Sequence, residues 1–243
     1  MEMSTVAQLA ELNRRFYEEH AENFADARPR LQPGVRLILD RIAPGARVLE
    51  AGCGDGKVAR ALPSVHYTGF DQSLALLERA RRYMPAAGSA GAARPAAWSF
   101  RPADLLSPDF PAQVPGAGFD WVLAFAVFHH LPSYAARERA LRHLAERLAP
   151  GGTLVLSNWQ FHTSPRLLRR QAPWSTLGLK PADVEPGDFL LTWERKGQHG
   201  LRYVHALDAA EARALAEAAS LTVVEVFQSD GVNGALAEYV VSR

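Results

Sequence analysis

The run Glu50-Ala51-Gly52-Cys53-Gly54-Asp55-Gly56 sets an acid ahead of three glycines at alternate positions. Glycine has no β-carbon, so such a run can turn sharply and admit a ligand against the main chain. A dinucleotide fingerprint needs glycine at the first, third and sixth positions, so that a pyrophosphate can rest on a helix N-terminus. Counted from Gly52, the sixth position is Lys57. Glu50 also disfavours an anionic pyrophosphate and favours a ligand ammonium group. Both residues weigh against an NAD-dependent oxidoreductase. Asp71, nineteen residues after Gly52 and followed by Gln72, is placed to accept both hydroxyls of a ribose. Asp104, within Ala103-Asp104-Leu105, can accept a hydrogen bond from an adenine amino group. Adenosine joined to a cationic amino acid satisfies all three acids.

These residues need a scaffold that brings strand ends together. Arg47 to Ala51 reads as a strand running into the glycine turn, Lys57 to Leu62 as a helix, and His66 to Phe70 as a strand ending at Asp71. A helix over 73–82, strands at 98–101 and 119–125, a helix over 133–148, a Pro150-Gly151-Gly152 turn and a strand at 153–157 continue the rhythm. Residues 85–97 read as a surface loop. The pattern predicts an α/β fold: a Rossmann-like, mostly parallel sheet with helices on both faces, its ligand at the carboxyl ends of the strands. Two helices are expected within 4–42, and a helix over 208–219 precedes strands at 221–227 and 236–241 that can pair as an antiparallel hairpin at one end of the sheet. A single domain is expected over 1–243: helical segment 1–42, core 43–158, substrate cap 159–205, and final helix and hairpin 206–243.

Twenty-seven Lys and Arg against 26 Asp and Glu remove any argument for nucleic-acid binding from bulk charge. The cap is more basic, with Arg166, Arg169, Arg170, Lys180, Arg195, Lys196 and Arg202 against Asp183, Glu185, Asp188 and Glu194. That excess suffices for a few phosphate contacts. Trp159, Phe161, Trp174, Trp193 and Tyr203 could stack a base or line a small-molecule pocket. One cysteine excludes an internal disulfide, no metal site is expected, and no stretch is long and apolar enough to span a bilayer. A cytoplasmic protein without a membrane or DNA partner is the expectation.

Taken together, the acid and glycine run, Asp71 and Asp104 resemble the class I S-adenosylmethionine-dependent methyltransferases over about 35–160 and 208–242. That family has a seven-stranded sheet with an antiparallel terminal strand. The resemblance implies S-adenosylmethionine as cofactor and S-adenosylhomocysteine as product. It places Glu50, Gly52, Gly54 and Gly56 around the methionine part, Asp71 at the ribose, and Asp104 and Leu105 at the adenine, with Cys53, Gln72 and Ala103 also at the cofactor. Phe125, Ala126, His129 and His130 resemble the motif beside the reactive methyl.

Tyr17, Ala21, Phe24 and Arg28 keep the spacing of the entry segment of wobble-uridine carboxymethyl tRNA methyltransferases. That resemblance puts Tyr17 and Arg28 at the cofactor. Thr192-Trp193 before Arg202-Tyr203-Val204-His205 resembles the family's Pro-Trp and Arg-Tyr-Tyr-His elements, with Thr192 and Val204 as departures. It implies a carboxymethylated tRNA uridine as acceptor and a small activating partner protein. Such a carboxylate, with a pKa of about 4, needs no general base, and Arg202 could hold it, with Tyr203 and His205 nearby. A phenol or alcohol would need His129 or His130 to take its proton. A small-molecule methyltransferase and a non-catalytic cofactor-binding subunit remain the alternatives.

Overall fold

The computed structural model describes residues 1–27, 30–62, 64–84, 97–114, 116–231 and 233–243. The N-terminal segment, expected as two helices, forms three: α1 (Met3–Glu19), α2 (Ala21–Asp26) and α3 (Pro33–Leu39). The extra break falls at His20, whose φ of −112° and ψ of 13° leave the helical region. Then follow β1 (Arg47–Ala51), α4 (Lys57–Ala61), β2 (His66–Asp71), α5 (Leu74–Tyr83), β3 (Ala97–Pro102), α6 (Phe110–Gln113) and β4 (Phe119–Phe125). Next come α7 (Tyr134–Ala145), β5 (Leu148–Trp159), α8 (Pro165–Leu168), β6 (Asp188–Arg195), β7 (Gln198–His205), α9 (Ala209–Ala218), β8 (Val223–Ser229) and β9 (Ala237–Ser242).

Among the described residues, the main sheet runs β3-β2-β1-β4-β5-β9-β8. The first five strands are parallel, and β9 is antiparallel to both neighbours. The reversed strand therefore lies one place in from the edge, which β8 occupies. Alternation along β5 divides the core. Leu154 and Leu156 pack with Leu141, Leu144 and Leu215, whereas Val155 packs with Ile38, Leu77 and Val241. The expected Pro150-Gly151-Gly152 turn is absorbed into β5. The ladder pairs Phe119 with Leu148, breaks, and resumes at Trp121 with Thr153, so the surplus residues bulge out at Gly151, whose φ is +75°. Of the expected 85–97 loop, all but Ala97 lies outside the described residues.

The segment 159–205 is more regular than expected. β6 and β7 form a hairpin in register from Asp188 with His205 to Arg195 with Gln198. The two residues between them, Lys196 and Gly197, have φ of +48° and +76°, the left-handed pair that matches strand twist in a two-residue hairpin. Lys is not a usual turn residue at such a site, so the signal was weak. α1 packs along β7, which closes the N-terminal helix over the strand ends.

Candidate active site

The three acids stand at the ends of neighbouring parallel strands: Glu50 in β1, Asp71 at the end of β2 and Asp104 just after β3. From β1 the chain steps outward to β2 and β3 and then crosses back to β4 on the other side of β1, and at that reversal a crevice opens at the carboxyl ends. A cavity of about 640 Å³ occupies it.

Gly52 has φ of +64°, and a β-carbon there would lie 2.5 Å from Val127 Cγ2. Gly54, at φ of +53°, faces open space instead. Its N–H donates to Asp71 Oδ2 at 2.9 Å, while Ser73 N–H donates to Asp71 Oδ1 at 2.9 Å. Asp71 is thus oriented by two amides, with lone pairs left over. Burial pushes its carboxyl up from the ordinary range. Asp104 is held in the same manner, accepting from Leu106 N–H at 2.8 Å.

Glu50 is 4% exposed, accepts the Tyr67 hydroxyl and has no ion-pair partner among the described residues. Burial pushes its carboxyl up to about 8. A buried carboxylate beside an open glycine cradle is what a cationic amino-acid ligand would relieve, so this donor set fits an adenosyl amino acid. Cys53, 5% exposed, has its thiol pushed well up by burial and is a wall rather than a nucleophile.

The expected ligand residues Tyr17, Glu50, Gly52, Cys53 and Gly54 line the cavity, as do Asp71, Gln72, Ala103, Asp104 and Leu105. Phe125, Ala126, His129, His130 and Arg202 line it too. Ala126 carries a left-handed φ of +58°, held because its N–H donates to the Ser157 hydroxyl at 3.0 Å and the Ser157 carbonyl at 2.9 Å. Strain of this kind is kept where the surroundings determine it, here at the cavity wall.

Three expectations need correction. Gly56 does not line the cavity: it precedes α4 at φ of +75°, and its α-carbon is packed against Phe100 and Ala80. Tyr203 and His205 are also outside it, fully and 97% buried behind β7. Both bond to Asp188, at 2.6 Å from the Tyr203 hydroxyl and 2.7 Å from His205 Nδ1. His205 Nε2 lies 2.7 Å from Glu211. Alternation along β7 explains the error, because a strand that turns Arg202 to the cavity turns Tyr203 away. Arg28 lies outside the described residues.

The opposite wall of the cavity carries Arg202. Its guanidinium is sandwiched 5.7 Å from the Phe16 ring centre and 4.9 Å from that of Trp159. The residue is 4% exposed, and among the described residues its buried Nε has no hydrogen-bond partner. Nearby, His130 Nδ1 lies 3.2 Å from the Tyr203 carbonyl, which only accepts, so that nitrogen carries the hydrogen. Its Nε2 is hydrogen-bonded to the Tyr17 hydroxyl at 2.6 Å, accepting from it when the ring is neutral. His129 Nδ1 accepts from Trp159 N–H at 3.4 Å. Phe16, Asn13 and Ser157 escaped the sequence reading. Asn13 did leave a trace, a polar residue among the apolar positions Leu9, Leu12 and Phe16.

The family model described as a methyltransferase domain matches residues 18–226. The chain belongs to this methyltransferase family. An Encephalitozoon cuniculi protein, described by inference as a methyltransferase, is 33% identical over 192 residues, 79% of this chain and 78% of its own. The Bos taurus protein "Probable tRNA methyltransferase 9B" is 31% identical over 162 residues, 65% of this chain. The methyltransferase spans about a third of that relative's length, since the match covers 32% of it. The Saccharomyces cerevisiae tRNA (carboxymethyluridine(34)-5-O)-methyltransferase is 27% identical over 145 residues, 60% of this chain and 47% of its own. Among solved structures, a chain of the DhpI-SAM-HEP complex superposes with a TM-score of 0.65 at 18% identity, covering 97% of this chain and 98% of that one. A chain from the complex of the Haloferax volcanii Trm112 methyltransferase activator with a methyltransferase gives 0.61 at 18% identity, covering 94% and 96%. At these identities the two structures establish the fold. Among the described residues, no helix of the methyltransferase is long and apolar enough to cross a membrane.

Proposed function

We propose that this methyltransferase uses S-adenosylmethionine to esterify the carboxylate of a carboxymethyl-modified tRNA uridine. The observation that carries the reading is Arg202, a buried guanidinium without an anionic partner among the described residues, held between two rings at the cavity wall. Leaving a charge buried and unpaired is costly, and a planar carboxylate is the anion that its fork of donors matches best. The tRNA relatives support that acceptor.

When bound, the cofactor supplies an electrophilic methyl group on a cationic sulfur. Glu50 takes the ligand ammonium, Asp71 the ribose hydroxyls and Asp104 the adenine edge. Arg202 orients the acceptor carboxylate, and Phe16 and Trp159 keep water from its rear. An ionised carboxylate needs no base, which agrees with the engagement of both His130 nitrogens. The contribution of the protein is position and desolvation.

Arg30, Arg166, Arg170 and Arg195 also line the cavity, as does the cap acid Glu194. Two further acids of the cap are turned inward: Glu185 pairs with Arg137, and Asp188 with His205. The rim is therefore more basic than composition suggests, as an RNA backbone requires. A small activating partner and a cytoplasmic location belong to the same reading.

The test is transfer of a labelled methyl group from S-adenosylmethionine to RNA and small-molecule fractions, followed by mild alkali. Alkali-labile label in tRNA supports the reading. Label confined to small molecules would replace the acceptor with a small carboxylate, and label in neither would point to a binding subunit.

A further inference from the structure

Asn13 sits mid-helix in α1 on the buried face, 1% exposed. A primary amide is costly there unless its polar atoms are paired. Its Nδ2 donates to the Tyr203 carbonyl at 3.0 Å and to the His130 carbonyl at 3.1 Å, and its Oδ1 accepts from Tyr203 N–H at 2.9 Å. The three bonds join segments more than a hundred residues apart.

In an antiparallel strand the N–H and C=O of one residue point to the same side. Both groups of Tyr203 go to Asn13, on the side of β7 away from β6. The side chain thus takes the place of a neighbouring strand's peptide group and fixes β7 one residue from Arg202. Three residues along the same helix face, Phe16 supplies one of the two rings around the Arg202 guanidinium. The third bond holds the main chain of His130, whose ring bonds to Tyr17.

We propose that Asn13 is the positioning residue of the acceptor site. It ties α1 to β7 and to the turn after β4, so that Arg202 stays between Phe16 and Trp159 and directed into the cavity. The proposal rests on the reading of Arg202 as the acceptor's anion partner. No contact between Asn13 and substrate is required.

The test uses the full chain with arginine side chains labelled with nitrogen-15. The Nε–H signal of Arg202, displaced by the ring currents of Phe16 and Trp159, is assigned by its loss in R202K. Asn13→Ala is expected to move that signal toward those of exposed arginines. It should also raise KM for a carboxymethyluridine anticodon stem-loop at least about tenfold, with S-adenosylhomocysteine affinity within about twofold. Asn13→Asp, similar in volume but without the two donors, serves if the smaller side chain detaches the helix. An unmoved Arg202 signal in a folded variant would overturn the proposal. So would a parallel loss of S-adenosylhomocysteine binding, which would mean that the whole helix had shifted. A moved signal with unchanged methylation would leave Asn13 as the support of Arg202 and remove the carboxylate assignment instead.

Discussion

The proposed pairing of Glu50 with the ligand ammonium would make cofactor binding a proton-linked event. Burial raises its carboxyl to about 8 from 4.5; the nearby Asp71 and Asp55 push the same way, against the Tyr67 hydroxyl and Lys57. Between those two values the folded, empty protein holds a proton that the unfolded chain has released. The contribution of Glu50 to stability therefore falls as pH rises from about 4.5 to about 8 and is flat above. A span of about 3.5 pH units at about 1.4 kcal/mol each amounts to about 5 kcal/mol over the whole range. A ligand ammonium beside the carboxylate reverses the effect by favouring its ionised form. Binding should then expel close to one proton at pH 6.5, and affinity should rise about tenfold per pH unit toward 8. Calorimetric titration with S-adenosylhomocysteine in buffers of different ionisation enthalpy counts that proton. Glu50→Gln should abolish the proton release, flatten the pH dependence, weaken binding at pH 8 and stabilise the empty protein there. Proton release near zero at pH 6.5 in the wild type, or the same pH slope in E50Q, would refute the assignment of Glu50 to the ammonium.

Other expectations are checked as simply. Arg202→Ala should raise acceptor KM by ten- to a hundredfold, an amount typical of a lost charge-assisted contact, with S-adenosylhomocysteine affinity unchanged by calorimetry. Gly56→Ala places a β-carbon 2.9 Å from Phe100 at a φ of +75° and should lower stability by about 1–3 kcal/mol in denaturant unfolding. Gly54→Ala, at φ of +53°, carries the left-handed strain but meets nothing within 4 Å, so it should cost less stability than Gly56→Ala while weakening ligand binding, a contrast that equal losses in unfolding would contradict. His205 lies between Asp188 and Glu211, both of its nitrogens at 2.7 Å from carboxylate oxygens, which requires the doubly protonated ring. Its pKa is raised, with burial opposing and the two carboxylates favouring the charged form. The stabilisation should be complete below about pH 6.5 and lost as pH climbs through the raised value, and H205A should remove that slope in thermal unfolding.

The proposed cofactor half of the site was legible because it is local. Glu50 and the glycines fall within seven consecutive residues, and Asp71 and Asp104 each terminate or follow a strand whose end the fold must bring beside them. The acceptor half was not. Arg202, Tyr203 and His205 group together in the sequence because adjacency in a motif conceals alternation in a strand, and of the three only Arg202 lines the cavity. Asn13 and Phe16 could not be assigned to β7, some 190 residues away, from helical periodicity alone.

By itself, the sequence determined the strand and helix alternation, the glycine turn and the acids at strand ends, since backbone freedom, hydrophobic period and charge are properties of neighbouring residues. Only the tertiary structure decided that β9 enters between β5 and β8, that α1 closes over a hairpin from the cap, and that Arg202 is buried between rings without an anion among the described residues. Those outcomes depend on which distant faces meet and on the electrostatic cost of what they bury.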